Sequence, residues 1–264
     1  MNFGLIIIGD EILSGKREDK HLPKVISLLS ARGLALSWVR YVGDDPQRIT
    51  ADLAYAFASG DVVFSCGGIG ATPDDHTRQC AARALGAPLA LHPQARDLIL
   101  ERMRDIAAER GEPYEPDRDD NMHRLNMGVF PQGAEIIPNP YNKIAGFSVG
   151  SVHFVPGFPV MAWPMIEWVL DQRYLHLHRQ HAQREKSVIV FGAMEAALTP
   201  LMEAIEAQFT GVKVFSLPSV DHPQWGRHIE LGVKGESDTL DAAYLQMLAG
   251  LKLHGASLGP ELVR

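Results

Sequence analysis

Three apolar segments in the first quarter of the chain, each followed by a segment with helical spacing, constrain the fold most strongly. They span residues 3–8, 35–42 and 61–66, and the first is a continuous run of apolar and β-branched residues. Such a run predicts a strand covered on both faces, as in a parallel sheet. The alternation of strand and helix therefore predicts an α/β fold in which right-handed crossovers join parallel strands.

Apolar residues three and four positions apart predict the helices between these strands. The predicted helices cover residues 20–32, 46–59 and 78–85, and Gly33 and Gly60 follow the first two. Glycine is common just beyond a helix because it adopts the left-handed conformation without steric cost. Each helix thus returns the chain to the start of the next strand.

The segment from Gly67 to Thr77, with the sequence Gly-Gly-Ile-Gly-Ala-Thr-Pro-Asp-Asp-His-Thr, lies between the third strand and the third helix. Backbone amides can converge on an anion at such a turn. We expect the amides of residues 67–70 and the hydroxyl of Thr72 to hold a phosphate. Asp75, together with Asp74, would hold a divalent cation against that phosphate. Alternatively, an aspartate caps the next helix and the glycines only allow a sharp turn.

Acidic residues follow all three predicted strands at the same edge of the sheet. The pairs are Asp10-Glu11, Asp44-Asp45 and Asp74-Asp75. Acidic turn residues are common on protein surfaces, so one pair alone would carry little weight. Three pairs at strand ends favour a site, because ligands of parallel sheets bind beyond the carboxyl ends. A later turn, from Pro156 to Pro159, is expected to approach the same crevice.

The rest of the chain is predicted to complete this domain and to form a smaller one. The first domain continues with a helix over 92–110, a polar surface segment over 111–120, a short helix over 121–126, two hairpin-like pieces over 129–140, a hairpin over 147–155 and an apolar helix over 160–177. The second has strands over 187–191, 212–217 and 227–233 and helices over 195–209 and 240–253. We place the domains at 1–178 and 185–264, the second being a small α+β sandwich.

Histidines are frequent between the two domains, at His176, His178 and His181. A metal site is the less favoured interpretation, because no cysteine or acidic residue stands at ligand spacing. The run instead indicates a domain boundary. Cys66 and Cys80 are interpreted as small apolar packing residues, which fits a reducing compartment.

Composition limits the possible partners. The chain has 264 residues and a net charge of −7, and it contains no basic run. General nucleic-acid binding, which needs clustered lysine and arginine, is therefore not expected. The apolar run near Met1 is too short to span a bilayer and has no basic residues before it. These features predict a cytoplasmic protein without membrane association.

Four motifs in order and spacing resemble those of MoaB/MogA-like molybdopterin-binding domains, most closely the N-terminal domain of CinA-like (competence/damage-inducible) proteins. They are residues 9–15 (Gly-Asp-Glu-Ile-Leu-Ser-Gly), 42–45 (Val-Gly-Asp-Asp), 67–77 and 156–159 (Pro-Gly-Phe-Pro). The resemblance covers residues 1 to about 175 and implies a three-layer domain. The element order of the remaining tail is similar to a small KH-like domain. A CinA-like deamidase domain would need a further stretch of chain beyond Arg264, so we expect no deamidase activity.

The resemblance implies roles for individual residues. Asp75 takes the acidic position associated with catalysis and metal, with Asp74 beside it as a second candidate catalytic residue, and Asp19 stands at a further acidic position. The implied ligand-binding residues are Gly67, Gly68, Gly70, Thr72, Thr77, Asp10, Glu11, Ser14, Asp44, Pro156 and Gly157. The implied metal ligands are Asp75, Asp74, Asp10 and Asp19.

The chain also departs from the family pattern. Relatives usually carry Gly-Thr-Ala-Pro-Gly where this chain has residues 142–146, Asn-Lys-Ile-Ala-Gly. Relatives usually have an acidic residue where this chain has Val160 and Met161, and Ala71 replaces a frequent proline. Lys143 would then supply a phosphate contact that relatives obtain differently.

Two functions follow from the resemblance. The first is hydrolysis of a pyrophosphate bond, of the ADP-ribose type, with Mg²⁺, Mn²⁺ or Co²⁺. The second is binding of a nucleotide or molybdopterin without turnover, linked to molybdenum cofactor biosynthesis. A Rossmann oxidoreductase is disfavoured, because the first turn, Gly9-Asp10-Glu11, lacks the G-x-G-x-x-G spacing. A homodimer or homotrimer is expected, since MoaB/MogA-like folds are usually trimeric.

Overall fold

A computed structural model describes residues 1–178, 184–235 and 237–263. The chain divides into two compact units, Met1–His178 and Arg179–Arg264. The linker predicted from the histidine run includes His181, which lies outside the described residues. His178 is the last described residue of the first unit, and its ring Nε2 lies 3.1 Å from the carbonyl oxygen of Leu170.

The first unit is built on a six-stranded sheet in the order β2-β1-β3-β8-β7-β6. Its strands are β1 (Phe3–Ile8), β2 (Leu36–Val42), β3 (Val62–Cys66), β6 (Glu135–Ile137), β7 (Gly146–Val149) and β8 (Val152–Val155). The first four in spatial order run parallel, whereas β7 runs antiparallel to both of its neighbours. The predicted parallel-dominated α/β fold is therefore confirmed.

Helices cover both faces of this sheet. The helices of this unit are α1 (Asp10–Leu13), α2 (His21–Ser30), α3 (Pro46–Ser59), α4 (Thr77–Leu85), α5 (Pro93–Arg110), α6 (Asp119–Leu125) and α7 (Pro159–Arg173), of which α2, α3, α4 and α7 pack on the sheet. Side chains of β1 alternate between the two faces: Ile6 and Ile8 pack with α3 and α4, and Leu5 and Ile7 pack with α2 and α7. Because both faces are covered, every residue of β1 is buried.

Two predicted details of this unit are wrong. The two pieces of 129–140 are not hairpins. Strand β5 (Val129–Pro131) pairs with β4 (Leu89–Leu91), and β6 pairs with β7, because the chain turns at Gly133 toward the main sheet. Helix α7 ends at Arg173 rather than at residue 177, because Tyr174 leaves the helical conformation. The Tyr174 hydroxyl then lies 2.8 Å from Nε2 of the buried His153.

The second unit is a four-stranded antiparallel sheet in the order β10-β11-β9-β12, packed against two helices. Its elements are β9 (Arg184–Phe191), α8 (Glu195–Gln208), β10 (Lys213–His222), β11 (Gly226–Gly235), α9 (Ser237–Leu253) and β12 (Ser257–Val263). Sequence analysis missed β12, because Gly259 and Pro260 interrupt its pattern. Such residues are tolerated in an edge strand with irregular register, as here. The α+β class is confirmed, and the KH-like assignment stays a prediction.

No helix in the described ranges is long and apolar enough to cross a lipid bilayer.

Candidate functional site

A cavity of about 450 Å³ lies beyond the carboxyl ends of the parallel strands in the first unit. Four segments that the sequence singled out form its wall. They contribute Gly9 and Glu11, Asp44, residues 67–72 with Asp74 and Asp75, and residues 156–158. The predicted convergence of the strand-end turns on one crevice therefore matches the geometry, and the cavity is the candidate site.

The glycine turn is held from one side by the first two residues of α4. The Thr77 hydroxyl donates to the carbonyl oxygen of Gly67 at 3.0 Å, and the Thr77 amide donates to that of Gly68, also at 3.0 Å. The buried Arg78 guanidinium donates to the carbonyl of Ile69 and, at 2.7 Å, to that of Gly70. Four consecutive carbonyl groups thus point toward α4.

The same contacts fix the direction of the amides. In a trans peptide the carbonyl and the following N–H point in opposite directions. The amides of residues 68–71 therefore point away from Thr77 and Arg78, toward the cavity that these residues line. None of the four has a hydrogen-bond partner among the residues that the structure describes. Together they form a concave set of donors suited to an anion.

Gly67 is an exception to the predicted set of phosphate-binding amides. Its N–H donates to the carbonyl oxygen of Val155 at 3.0 Å and so joins the turn to β8. Thr77, predicted as a ligand contact, instead positions the turn from behind. Conversely, Ala71, noted only as a departure from the family pattern, supplies one of the free amides.

Glycine is required at two positions of this turn. Gly67 has φ 107° and Gly68 has φ 67°, conformations that side chains disfavour. A Cβ on Gly67 would overlap the carbonyl oxygen of Ile8, and one on Gly68 would overlap the Thr77 hydroxyl. The turn can therefore lie this close to Ile8 and Thr77 only because Gly67 and Gly68 have no side chains.

Asp75 closes the far end of the turn. Its Oδ2 accepts hydrogen bonds from the Thr72 amide at 2.8 Å and from the Thr72 hydroxyl at 2.6 Å. The Thr72 hydroxyl, which was predicted to donate to a phosphate, therefore already donates to Asp75. The helix-capping alternative is not supported, because α4 begins after His76 and has no side-chain capping bond. A Cβ on Gly70 would lie 2.5 Å from Asp75 Oδ2, so this carboxylate packs against Gly70.

The other two acidic turns are joined by reciprocal hydrogen bonds. The Asp10 amide donates to Asp44 Oδ2 at 2.9 Å, and the Asp44 amide donates to Asp10 Oδ1 at 3.1 Å. Asp44 faces the cavity with Glu11 and Asp74, whereas Asp10 and Ser14 are absent from its wall. Partial burial, together with the charges of Asp10, Glu11 and Asp74, raises the pKa of Asp44.

The four predicted metal ligands do not come together. Within the described residues, no three histidine, cysteine, aspartate or glutamate side chains are arranged to hold a metal ion. Asp19 accepts hydrogen bonds from the amides of His21 and Leu22 at 2.8 and 3.1 Å and from the Tyr41 hydroxyl at 2.8 Å. Burial and this bond raise the pKa of Tyr41 to about 12, so the hydroxyl remains a donor at neutral pH. Asp19 therefore stabilises the start of α2, and its predicted role as a metal ligand is not supported.

Mg²⁺ in proteins is often held by one or two carboxylates together with phosphate oxygens of the ligand. The cavity fits a cation held in this way, because Glu11, Asp44 and Asp74 face the space in front of the amides. It does not fit a cation held by protein side chains alone.

Replacing Asp44 with asparagine is expected to stabilise the ligand-free protein by a few tenths of a kcal/mol at pH 7, because these charges are partly screened. A carboxyl whose pKa is raised by folding binds protons more tightly in the folded state. The wild type therefore loses stability as the pH rises through this raised pKa. The extra stability of Asp44→Asn over the wild type should accordingly vanish below about pH 4, where the carboxyl is protonated in both the folded and the unfolded state. Thermal unfolding of both proteins from pH 3 to 7 tests this. Asparagine can still accept a hydrogen bond from the Asp10 amide, so the contact between the two turns is kept. A stability difference between the two proteins that does not change with pH would contradict the electrostatic explanation.

Lys143 does not contact the cavity. Its Nζ lies 2.6 Å from both Glu101 Oε1 and Asp105 Oδ2, and these carboxylates raise its pKa. The prediction that Lys143 contacts a phosphate is therefore not supported by its position. Lys143 adopts φ 65°, the left-handed conformation that glycine would favour. Its neighbours Asn142 and Ile144 line the cavity in its place.

Sequence analysis also missed several residues on the cavity wall. Arg17 is a cation on this wall, and its guanidinium carbon lies 5.9 Å from the ring centroid of Phe158. No carboxylate in the described part of the chain forms an ion pair with Arg17. Asn139 and Met161 also line the cavity. The sequence signal that could have identified Arg17 is its position two residues after the motif at 9–15.

Comparison with known proteins identifies the family of the first unit. Residues 4–176 match the family model described as "Probable molybdopterin binding domain". A CinA-like protein of Anaeromyxobacter sp. is 33% identical over 175 residues, which are 64% of this chain and 40% of the relative. A CinA-like protein of Citrifermentans bemidjiense is 31% identical over 256 residues, 95% of this chain and 57% of the relative. The chain thus spans about half the length of these relatives.

A solved structure shows the same fold. The CinA protein of unknown function from Thermoplasma acidophilum matches with a TM-score of 0.55 and 24% identity, over 65% of this chain and 98% of its own. The matched residues place the first unit in the family of probable molybdopterin-binding domains, and the solved structure has the same fold. The chain belongs to this family, and its curated relatives are CinA-like proteins.

Proposed function

We propose that the first unit binds a phosphorylated nucleotide or pterin in the cavity and hydrolyses a pyrophosphate bond in a ligand of the ADP-ribose type. The observation that carries this proposal is the set of four unpaired amides at residues 68–71, all on the cavity side of the glycine turn. Preorganised amides stabilise charge that develops on phosphoryl oxygens, and one such donor is worth roughly 3–4 kcal/mol in the transition state. The Ile69 and Met161 side chains give the same cavity an apolar surface for a planar ring.

Asp75 is the proposed catalytic carboxylate. Its Oδ2 is engaged by Thr72, and Oδ1 has no partner in the described ranges, so Oδ1 is the oxygen available to accept a proton from an attacking water. The Thr72 bonds fix the carboxylate next to the amides that would hold the phosphate. A carboxylate so placed repels a phosphate, and this repulsion favours binding of a cation with the ligand.

A divalent cation, when bound with the ligand, would neutralise the pyrophosphate and increase the acidity of the attacking water. Asp74, Asp44 and Glu11 are the cavity carboxylates that would share it with the phosphate oxygens. Mg²⁺, Mn²⁺ and Co²⁺ remain the candidates. The C-terminal unit is proposed to serve assembly into a homodimer or homotrimer.

Binding without hydrolysis is the second candidate function. It is favoured by the absence of a three-ligand metal cluster among the described residues and by the engagement of Lys143 with Glu101 and Asp105. Under this alternative, molybdopterin or a nucleotide occupies the same cavity and leaves unchanged.

One experiment separates the two candidates. Purified full-length chain is incubated with a panel of nucleoside diphosphate compounds, including ADP-ribose, with each of the three metals and with chelator. Release of AMP from ADP-ribose that requires a metal supports hydrolysis. Tight binding by calorimetry with no turnover under any metal supports the binding protein, and absence of both binding and turnover contradicts both candidates.

A further inference from the structure

The loop over residues 139–144 forms part of the cavity wall, and its own hydrogen bonds hold it in one arrangement. Asn139 is buried, and its Nδ2 donates to Oδ1 of Asn142 at 2.8 Å and to the carbonyl oxygen of Ile144 at 2.9 Å. Its Oδ1 accepts from the amide of Tyr141 at 3.0 Å. One buried side chain thus ties together three residues of the loop, of which Asn142 and Ile144 line the cavity.

Lys143 fixes the same loop from outside the cavity. Its Nζ lies 2.6 Å from both Glu101 Oε1 and Asp105 Oδ2, which are one helical turn apart on α5. Its amide donates to the carbonyl oxygen of Asn139 at 3.0 Å. Partly exposed ion pairs add little stability, but these two restrict where the loop can lie relative to α5. Asn142, the preceding residue, is therefore presented to the cavity by a loop with little freedom.

The side-chain amide of Asn142 has one defined orientation. Its Oδ1 accepts from the backbone amide of Ile144 at 3.0 Å as well as from Asn139. Because a backbone amide can only donate, the oxygen of Asn142 must be the atom that faces it, and Nδ2 is the other end of the group. Nδ2 lies 3.6 Å from Sδ of Met161, a weak acceptor, and has no further partner in the described ranges. Asn142 therefore brings an N–H donor with unused capacity to the cavity wall.

This donor stands beside the apolar surface of the cavity. Met161 and Ile69 are the side chains proposed above to contact a planar ring. Because Nδ2 of Asn142 is in contact with Sδ of Met161, a ring that packs on this thioether has the donor at its edge. The carboxylates of the wall can only accept, and Arg17 is a charged donor, whereas Asn142 offers a neutral donor. A neutral donor beside an apolar surface suits an acceptor atom of a heteroaromatic ring.

We propose that Asn142 determines the specificity of the cavity: its Nδ2 donates a hydrogen bond to an acceptor atom, a ring nitrogen or a carbonyl oxygen, at the edge of the ligand's heteroaromatic base. This inference rests on the proposed binding of a nucleotide or pterin and identifies the side chain that recognises its base. A site built around such a donor discriminates against a base that lacks the acceptor. A chain with glycine at this position, as relatives usually have, lacks the donor and is expected to differ in base preference.

The test measures the coupling between Asn142 and single ring atoms. Calorimetry of the full-length chain with Mg²⁺ uses α,β-methylene ADP, which cannot be hydrolysed at its bridge. It is compared with the 1-deaza, 3-deaza and 7-deaza analogues, in each of which one ring nitrogen of adenine becomes a C–H group. The wild type should bind one of the three analogues about fivefold more weakly than the parent compound, the effect of roughly one hydrogen bond.

Asn142→Asp removes the donor and keeps the loop. The aspartate still offers the acceptor that Asn139 and Ile144 require, but it has no N–H group. This variant should bind the parent compound no more tightly than the analogue that the wild type disfavours. Its added negative charge weakens binding of all four compounds alike and leaves the comparison between them intact. If this variant does not fold, Asn142→Ser replaces it, since a serine hydroxyl can accept from the Ile144 amide but is too short to reach the ring.

Ile144→Val is the matched control. Ile144 belongs to the same loop and lines the same cavity, but its side chain forms no hydrogen bond, so this variant should keep the wild-type difference between the compounds. Equal wild-type affinities for all four compounds, or a difference that persists without the Asn142 donor, would overturn the inference, while AMP release from ADP-ribose decides the proposed function separately. Failure of the wild type to bind any of the four, together with no AMP release, would overturn both.

Discussion

Replacing Gly68 with alanine is expected to abolish binding of phosphorylated ligands and to lower the free energy of unfolding by about 3 kcal/mol. A Cβ at this position would overlap the Thr77 hydroxyl, and a φ of 67° disfavours any side chain. The turn must move away from Thr77 to relieve the overlap. That movement releases the carbonyl groups of Gly67 and Gly68 and so misdirects the amides of residues 68 and 69. Thermal unfolding and calorimetry with ADP-ribose measure the two effects.

Gly86→Ala is the matched control. Gly86 ends α4 with φ 63°, and a Cβ at this position would extend into open space, with no atom of a neighbouring element within 4 Å. This variant should lose only the roughly 1 kcal/mol of the left-handed conformation and should bind ligand normally. If Gly68→Ala were no less stable than Gly86→Ala and retained ligand binding, the close support of the turn by Thr77 would be contradicted.

Asp75→Asn is expected to lower turnover of ADP-ribose by at least 100-fold while the protein stays folded, if the first unit is the proposed hydrolase. Asparagine keeps an oxygen that can accept from the Thr72 amide and hydroxyl, so the turn is preserved. The variant loses the negative charge and the basic oxygen needed to accept a proton. Release of AMP under metal-saturating conditions measures the effect.

Asp75→Ala distinguishes the chemical role from the structural one. Alanine removes the acceptor as well, so this variant should lose stability and ligand affinity in addition to turnover, whereas the asparagine variant should lose turnover alone. Metal-dependent AMP release by Asp75→Asn at the wild-type rate would remove Asp75 from the mechanism.

The sequence was sufficient to predict the sheet and the crevice, because both follow from local patterns. Continuous apolar runs identified the buried strands, and the carboxyl-end rule placed the acidic turns at one edge. Strand β12 was missed because its Gly259 and Pro260 resemble a loop, and only pairing with β9 reveals the strand. The pieces over 129–140 were predicted as hairpins for a similar reason: the partner of β5 lies about 40 residues earlier in the chain, and that of β6 lies beyond Pro138 and Pro140.

Individual site roles were less predictable, because a motif does not state which atoms of a turn are already engaged. The amide of Gly67, the hydroxyl of Thr72 and the carboxylate of Asp19 all have partners within the protein. Arg78, by contrast, contacts the turn although the sequence did not predict it. As one of two charged residues in the predicted helix over 78–85, it gave no sign that its buried guanidinium would hold two carbonyl groups of the turn.

The most direct test of the central claim is nuclear magnetic resonance of the full-length chain with ¹⁵N-labelled glycine during titration with ADP-ribose. Gly68 and Gly70 have amides without partners that point to the cavity, whereas Gly86 lies at the far end of α4. The account predicts large, saturable shifts of the amide signals of Gly68 and Gly70 and little change at Gly86. Saturable binding that leaves the Gly68 and Gly70 signals in place would contradict it.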